Sequence, residues 1–164
     1  MKRILGLSVM IIALFSACGK DDNDCAQTES TLVAPASEVQ VIQQHLTTNS
    51  LTATQDPSGI FYNISVPGTG DSYPGLCTQV SVKYRGTFLN GTVFDESAAP
   101  ITYPLGGFIV GWQKGVAKLK KGGKMKLYVP PTLGYGNVDR KDSQGNVVIP
   151  ANSTLIFDIE LVNF

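Results

Sequence analysis

The stretch that decides the fold is residues 82–115, VKYRGTFLNGTVFDESAAPITYPLGGFIVGWQKG. It opens with Val82 and Tyr84 alternating with polar residues, which is the period of a half-buried β-strand. Asn90-Gly91 interrupts this alternation and favours a type I′ turn, in which both central residues have positive φ. The stretch therefore predicts a β-hairpin followed by an aromatic-rich segment.

The rest of the sheet follows from similar patterns. Residues 60–66 are predicted as a strand between two turns, and residues 124–129 and 154–164 alternate like the central stretch. Residues 112–121 instead carry apolar side chains at helical spacing, and Gly122-Gly123 would end that helix. The expected fold class is α+β, with a curved antiparallel β-sheet (half-barrel) wrapped around one short α-helix.

Composition limits the classes of function. The chain has 164 residues, which is room for one domain plus a leader and a linker, and its 13 basic and 13 acidic side chains balance. A neutral chain has no electrostatic footprint for nucleic acid, so no nucleic-acid partner is expected. The single histidine, His45, lies outside the central stretch, which argues against catalysis by imidazole.

The N-terminus has the features of an export signal. Met1-Lys2-Arg3 is basic, and the apolar run at residues 4–15 is too short to span a bilayer comfortably. The next residues, Phe15-Ser16-Ala17-Cys18, resemble the lipobox of bacterial lipoproteins. We expect a signal peptide at residues 1–17 and a lipid on Cys18. The alternative is an ordinary secretory signal with an incidental cysteine.

The segment after that cysteine bears on location. Gly19-Lys20-Asp21-Asp22 resembles the export signal of surface lipoproteins in Bacteroidetes-type bacteria, although a solvated tether explains the same residues. We expect lipid anchoring to the outer membrane, with the domain facing either the periplasm or the cell surface.

Two segments precede the domain. Residues 18–36 are polar with scattered small residues and predict a lipid-anchored flexible tether. Residues 37–57 are an N-terminal extension in which Ser37-Glu38-Val39-Gln40 matches a capping box and opens a short helix. The apolar face of that helix would pack on the domain or mediate self-association. The folded domain is expected over residues 58–164.

Two cysteines remain once Cys18 carries lipid. Cys25 lies in the tether and Cys77 lies in the domain. Outside the cytoplasm such cysteines often pair, and a bridge would hold the extension against the domain. Two free thiols explain the sequence equally well.

Seven short motifs occur in a characteristic order. They are Val82-Lys83-Tyr84-Arg85-Gly86, Phe94-Asp95, Gly111-Trp112, Gly115-Val116, Gly134-Tyr135-Gly136, Ile149-Pro150 and Leu155-Ile156-Phe157-Asp158-Ile159-Glu160-Leu161. In this order they resemble the FKBP family of peptidyl-prolyl isomerases, which bind tacrolimus and rapamycin. The resemblance covers about residues 58–164, and it is specific because many separate motifs share the right order.

The resemblance implies a pocket for a proline ring. Three residues would act in catalysis: Asp95 beside the twisting carbonyl, Tyr135 as a hydroxyl donor, and Phe94 as an aromatic wall. The others would form the floor, walls and rim of the pocket, with the backbone N–H of Ile109 holding a ligand carbonyl. These substrate-binding residues are Tyr84, Ile101, Tyr103, Phe108, Ile109, Trp112, Val148, Ile149 and Phe157.

An aromatic pocket of this kind suits one reaction in particular. Rotation about an X–Pro bond has a barrier of about 18–20 kcal/mol because it breaks amide resonance, and it takes roughly 10–100 s unaided. The twisted amide has lost its charge-separated resonance form, so an apolar pocket that excludes water favours it over the planar amide. The resemblance implies no metal and no cofactor.

The function implied is a peptidyl-prolyl cis–trans isomerase that assists the folding of exported proteins. Its partners would be proline-containing polypeptide clients, the membrane through the N-terminal lipid, and macrolides as further candidate ligands. The alternative is a module on the outer membrane that binds proline segments, or acts as a chaperone, without catalysis. One departure bears on ligand preference, since Ile101 stands where many members have phenylalanine.

Overall fold

A computed structural model describes residues 27–164. Its strands are β1 Thr54–Gln55, β2 Phe61–Val66, β3 Gln79–Phe88, β4 Val93–Pro104, β5 Lys124–Val129, β6 Arg140–Lys141, β7 Val147–Ile149 and β8 Leu155–Asn163, and its α-helices are α1 Ala36–Thr48 and α2 Val110–Val116. Six strands form one sheet in the order β1-β2-β5-β8-β3-β4, with every neighbouring pair antiparallel. The pair β6-β7 forms a separate hairpin. The expected α+β class, an antiparallel sheet around a short helix, is confirmed.

α2 packs on one face of the sheet, called here the inner face. Gly111 and Gly115 allow the close approach, since a Cβ at either position would lie 2.5 Å from Val129 or 2.8 Å from Leu127. Trp112 and Val116 of the helix are buried in the main core with alternate residues of β3, β5 and β8.

The helix is shorter than the sequence pattern predicts. It begins at Val110 and ends at Val116, whereas helical spacing continues to residue 121. The reason is a change of hydrogen bonding: the N–H groups of Lys118 and Leu119 bond three residues back, at 3.0 and 2.9 Å. This tighter turn directs the chain away from the helix axis and leaves Leu119 fully buried.

α1 covers the opposite, outer face of the sheet. Its buried residues Ile42 and Leu46 pack against Phe61, Tyr128 and Ile156. On β5 and β8 these positions alternate with residues of the main core, and successive side chains of a strand point to opposite faces. Of the two roles expected for the extension helix, the structure shows packing on the domain.

The start of α1 differs from the predicted capping box. The helix begins at Ala36, its N-cap is Pro35, and no side chain caps it, so the capping-box prediction is wrong. Ser37 lies two residues beyond the N-cap, inside the first turn of the helix. The Glu38 carboxylate instead accepts hydrogen bonds from the N–H and hydroxyl of Thr132, at 2.9 and 2.8 Å.

The turn between β3 and β4 also differs from its prediction. Gly91 has a φ of 83°, whereas Asn90 is not among the described residues with positive φ. Gly91 N–H donates to Phe88 O, and Phe88 N–H donates to Thr92 O, both at 2.9 Å. This is a three-residue loop ending in a left-handed glycine. The type I′ prediction is wrong because the extra loop residue removes the need for positive φ at Asn90.

β4 is interrupted by a bulge. Tyr84 of β3 pairs with Ser97 and Val82 pairs with Ile101, so two steps along β3 correspond to four along β4. Extra residues of this kind bend an edge strand. The bulge separates the part of β4 that carries Asp95 from the part that carries Ile101.

Residues 27–35, called here the strap, lie against the domain ahead of α1. Ala34 N–H donates to Ser58 O at 2.8 Å. The Lys114 ammonium on α2 donates to Ser30 O, also at 2.8 Å. Part of the segment that composition predicts to be a flexible tether is therefore held in place.

One of the three cysteines of the chain, Cys77, lies within the described residues. Cys77 is disulfide-bonded. Cys25, the partner considered from the sequence, lies outside the described residues, as do Cys18 and the predicted signal peptide at residues 1–17. Within residues 27–164, no helix is long and apolar enough to cross a membrane.

Candidate active site

A cavity of about 230 Å³ opens on the inner face, between the start of α2 and the strands β3, β4 and β8. Nine of the twelve residues predicted for the site line it, together with Gly107, which the sequence did not single out. The lining residues are Tyr84, Phe94, Asp95, Ile101, Gly107, Phe108, Ile109, Trp112, Tyr135 and Phe157.

Trp112 forms the floor of this cavity and is only 3% exposed. The rings of Tyr84 and Phe157 meet it edge-on, with centroids at 5.4 and 5.2 Å. Phe108 stacks on it at 4.8 Å with 16° between the ring planes. Edge-to-face and offset pairs of this kind stabilise each other beyond simple burial. The floor is therefore apolar and closely packed by aromatic rings.

Phe94 forms a wall, and a glycine makes room for it. Its ring meets Phe157 edge-on at 5.6 Å. Gly86 lies beneath both rings, and a Cβ there would come within 2.6 Å of Phe94 and 3.1 Å of Phe157. The glycine of the Val82–Gly86 motif is thus a steric requirement of the pocket.

A short hydrogen bond joins two of the predicted site residues. The Tyr84 hydroxyl donates to a carboxylate oxygen of Asp95 at 2.6 Å. Burial raises the pKa of Tyr84 far above its usual value, and the hydrogen bond to Asp95 and the charge of that carboxylate raise it further. Tyr84 therefore stays protonated and remains a donor, which holds Asp95 at the edge of the cavity.

Tyr135 offers a second hydroxyl. It has no hydrogen-bond partner within the part of the chain that the structure describes, and the Arg140 guanidinium lies over its ring at 5.0 Å. Burial and then the charge of Asp95 raise the pKa of Tyr135, while Arg140 partly opposes the shift. Its hydroxyl therefore stays protonated at neutral pH and can donate a hydrogen bond to a ligand.

The backbone N–H of Ile109 is also available. Ile109 is the N-cap of α2, and its N–H has no acceptor among residues 27–164. The first N–H groups of a helix have no partner inside the helix, so a carbonyl oxygen of a ligand can take this position.

Gln113 supports this corner of the cavity, and sequence reasoning missed it. Its side-chain amide donates to Gly106 O at 3.1 Å and to Phe108 O at 2.8 Å. These bonds fasten the segment before α2 to the helix itself. The only signal in the sequence is a polar residue directly after Trp112.

Three predicted site residues do not line the cavity. Tyr103 is 58% exposed and meets Phe108 ring to ring at 6.1 Å, just outside the rim. Val148 is 41% exposed on β7. Ile149 is 6% exposed and belongs to the main core. Their roles stay predictions.

A larger depression, of about 970 Å³, lies elsewhere on the molecule, along outward-facing positions of the sheet. Salt bridges between β5 and β8 line this depression: Lys124 pairs with Glu160 at 3.2 Å, and Lys126 pairs with Asp158 at 2.6 Å. Exposed pairs of this kind are well solvated. The smaller inner-face cavity is the better candidate because aromatic rings, a free N–H and a free hydroxyl converge there.

Comparison with known proteins identifies the family of the chain. The family model described as "FKBP-type peptidyl-prolyl cis-trans isomerase" matches residues 70–162. The isomerase FkpA of Buchnera aphidicola subsp. Schizaphis graminum is 45% identical over 109 residues, which is 65% of this chain and 41% of that protein. The chain thus spans about two fifths of the length of this relative.

Solved structures show the same fold. The crystal structure of FkpA from Escherichia coli has a TM-score of 0.65 and 34% identity, covering 78% of this chain and 59% of that one. The crystal structure of AtFKBP13 has a TM-score of 0.62 and 32% identity, covering 68% of this chain and 98% of that one. On the family match, the ordered motifs and the aromatic cavity together, the chain belongs to the family of FKBP-type peptidyl-prolyl cis-trans isomerases.

Proposed function

We propose that this chain is a peptidyl-prolyl cis–trans isomerase that accelerates rotation about X–Pro bonds in polypeptide clients. The observation that carries the proposal is the aromatic cavity over Trp112. Its walls offer a proline ring apolar contacts on several sides and exclude water from the adjoining amide. Because the twisted amide is less polar than the planar one, such a site binds the transition state more tightly than the ground state.

Polar groups at the edge of the cavity position the client. The free N–H of Ile109 and the free hydroxyl of Tyr135 are donors for carbonyl oxygens on either side of the bond that rotates. Asp95 is held by Tyr84 at 2.6 Å. We assign Asp95 to orienting Tyr84 and the client, not to proton transfer, since rotation requires no proton to move.

The test is prolyl isomerisation of short X–Pro peptides by the full chain. We expect acceleration over the uncatalysed rate, with kcat/KM reduced about tenfold or more by Phe94→Ala, which removes a wall. Asp95→Ala should also reduce it. Glu96→Ala is the matched control, because Glu96 follows Asp95 on β4 and pairs with Arg85 at 3.4 Å instead of facing the cavity.

Two results would contradict the proposal. Absence of acceleration by a folded protein would leave a module that binds proline segments, or acts as a chaperone, without catalysis. Acceleration that neither Phe94→Ala nor Asp95→Ala reduces would place the active site elsewhere.

The location and further partners belong to the same proposal. The lipobox-like sequence ending at Cys18 supports a lipid anchor in the outer membrane, with the domain on the periplasmic or the cell-surface side. Clients would then be proteins that fold after export. Macrolides are further candidate ligands of the cavity. Ile101 lines the cavity at a position where many members of the family have phenylalanine.

A further inference from the structure

A second depression, of about 510 Å³, lies beside the hairpin that joins β3 to β4. We call it the hairpin groove. Its walls include Phe88, Leu89 and Thr92 from the hairpin and Pro150, Ser153 and Thr154 from the connection between β7 and β8. No charged side chain is among the described residues that line it. The proposed catalytic mechanism makes no use of this surface.

Aromatic rings connect the groove to the catalytic cavity. Phe94 is a wall of the cavity, and its ring lies 5.0 Å from that of Phe88, which is a wall of the groove. On the other side, Phe94 meets Phe157 at 5.6 Å. The cavity and the groove therefore share an aromatic boundary, with Phe94 on the cavity side and Phe88 on the groove side.

The separation sets which client residue would arrive there. The ring centroids of Phe157, Phe94 and Phe88 follow one another at 5.6 and 5.0 Å. Extended chain advances about 3.3 Å per residue. Three or four residues of extended client thus cover the distance from a proline ring bound over Trp112 to the groove.

We propose that the hairpin groove binds an apolar side chain of the client, three or four residues from the proline held over Trp112. The inference rests on the proposed function and narrows its substrate class to unfolded segments that combine a proline with a nearby large apolar residue. Such an occupant fits an uncharged groove with a half-buried aromatic ring, Phe88, in its wall, because burying its apolar surface is favourable and leaves no charge unpaired.

The test compares isomerisation of matched peptides by the full chain. The peptides share one X–Pro core and carry leucine or serine at the third and fourth positions, either before or after the proline. We expect kcat/KM to be about fivefold higher for leucine than for serine on one side of the proline, as partial burial of a leucine side chain implies. On the other side the two residues should be equivalent.

Two threonine variants locate the effect. Thr92 is an exposed wall of the groove, so Thr92→Glu places a charge in it and should abolish the preference for leucine. Thr69 is exposed outside the groove and the cavity, so Thr69→Glu is the matched control and should keep the preference. Leu89→Ser repeats the comparison without added charge if Thr92→Glu does not fold.

Equal kcat/KM for the leucine and serine peptides would overturn the inference, and so would a preference that survives in Thr92→Glu. If no peptide is isomerised, the proposed function is wrong, but the inference about the groove can still be tested. Calorimetry then measures whether the protein binds the leucine peptide more tightly than the serine peptide. Tighter binding of the leucine peptide that is lost in Thr92→Glu supports it, whereas equal affinities overturn it.

Discussion

The Tyr84 hydroxyl and the Asp95 carboxylate lie 2.6 Å apart on neighbouring strands, and the Tyr84 ring also meets Trp112 at 5.4 Å. One side chain therefore links the polar edge of the cavity to its apolar floor. Gly86, two residues along β3, leaves space for the wall formed by Phe94. At the scale of single residues, the position of each of these side chains depends on the neighbour that it contacts.

The protonation of Tyr84 gives a prediction with a definite sign. Its pKa in the folded protein is raised above the ordinary value of 10.0, first by burial and then by Asp95. The folded state therefore holds this proton more tightly than the unfolded state does. Its contribution to stability is complete below pH 10.0 and is lost as the pH rises further, because the unfolded chain ionises first.

The measurement is the free energy of unfolding of the wild type and of Tyr84→Phe, in urea from about pH 8 to about pH 11. We expect the difference in free energy of unfolding between the two proteins to be constant at the lower end of this range. Above pH 10.0 the wild type should lose stability relative to Tyr84→Phe. A difference that stays constant over the whole range would show that Tyr84 titrates normally.

At the scale of elements, α1 is attached to the domain by both apolar and polar contacts. Ile42 and Leu46 are buried on the outer face of the sheet. Glu38 accepts two hydrogen bonds from Thr132, which lies near the start of the long connection between β5 and β8. That connection also carries Tyr135 of the cavity. The helix on the outer face thus fixes one end of a segment that reaches the site.

Glu38→Ala should lower the free energy of unfolding by about 2 kcal/mol, since hydrogen bonds to a charged group each contribute more than neutral ones and the Thr132 N–H loses its acceptor. Urea denaturation measures the loss. Gln44→Ala, at an exposed position of the same helix, is the control and should change stability by less than about 0.5 kcal/mol. Equal effects of the two substitutions would mean that the Glu38 contact contributes nothing specific.

At the scale of the whole molecule, the two faces of the sheet carry different elements. α2 and the cavity occupy the inner face, and α1 occupies the outer face, with the strap leading into it along the domain. The strap also contacts α2 through Ser30, but none of residues 27–57 lines the cavity over Trp112. A lipid at the N-terminus is compatible with an open site.

Cys18→Ser tests the proposed anchor. The acyl chains on a lipidated cysteine hold a protein on a membrane because each buried CH₂ contributes about 0.8 kcal/mol. The wild type should sediment with membranes, and Cys18→Ser should move to the soluble fraction. Cys25→Ser, which changes the other N-terminal cysteine, should remain with membranes. Membrane association of Cys18→Ser, or release of both variants, would contradict a lipid on Cys18.

The sequence by itself determined the strands β2, β3, β5 and β8 of the main sheet, whereas the short strands β1, β6 and β7 were not predicted. β5 covers residues 124–129, as its alternation predicts. Such patterns are local, because the period of a strand depends only on neighbouring residues. Most of the site was predicted in a different way, from the resemblance of the motifs to the family, and nine of the twelve residues so implied line the cavity.

Only the tertiary structure decided how distant residues meet. The Tyr84–Asp95 bond depends on the register of β3 against β4, and the contacts of Glu38 and Gln113 depend on loops packing against helices. Ile149, predicted to bind substrate, is buried in the core for the same kind of reason. A pattern in the chain specifies the face on which a side chain lies. The partner that it meets is set by packing between elements far apart in sequence, where register, bulges and helix ends determine distances of a few ångströms.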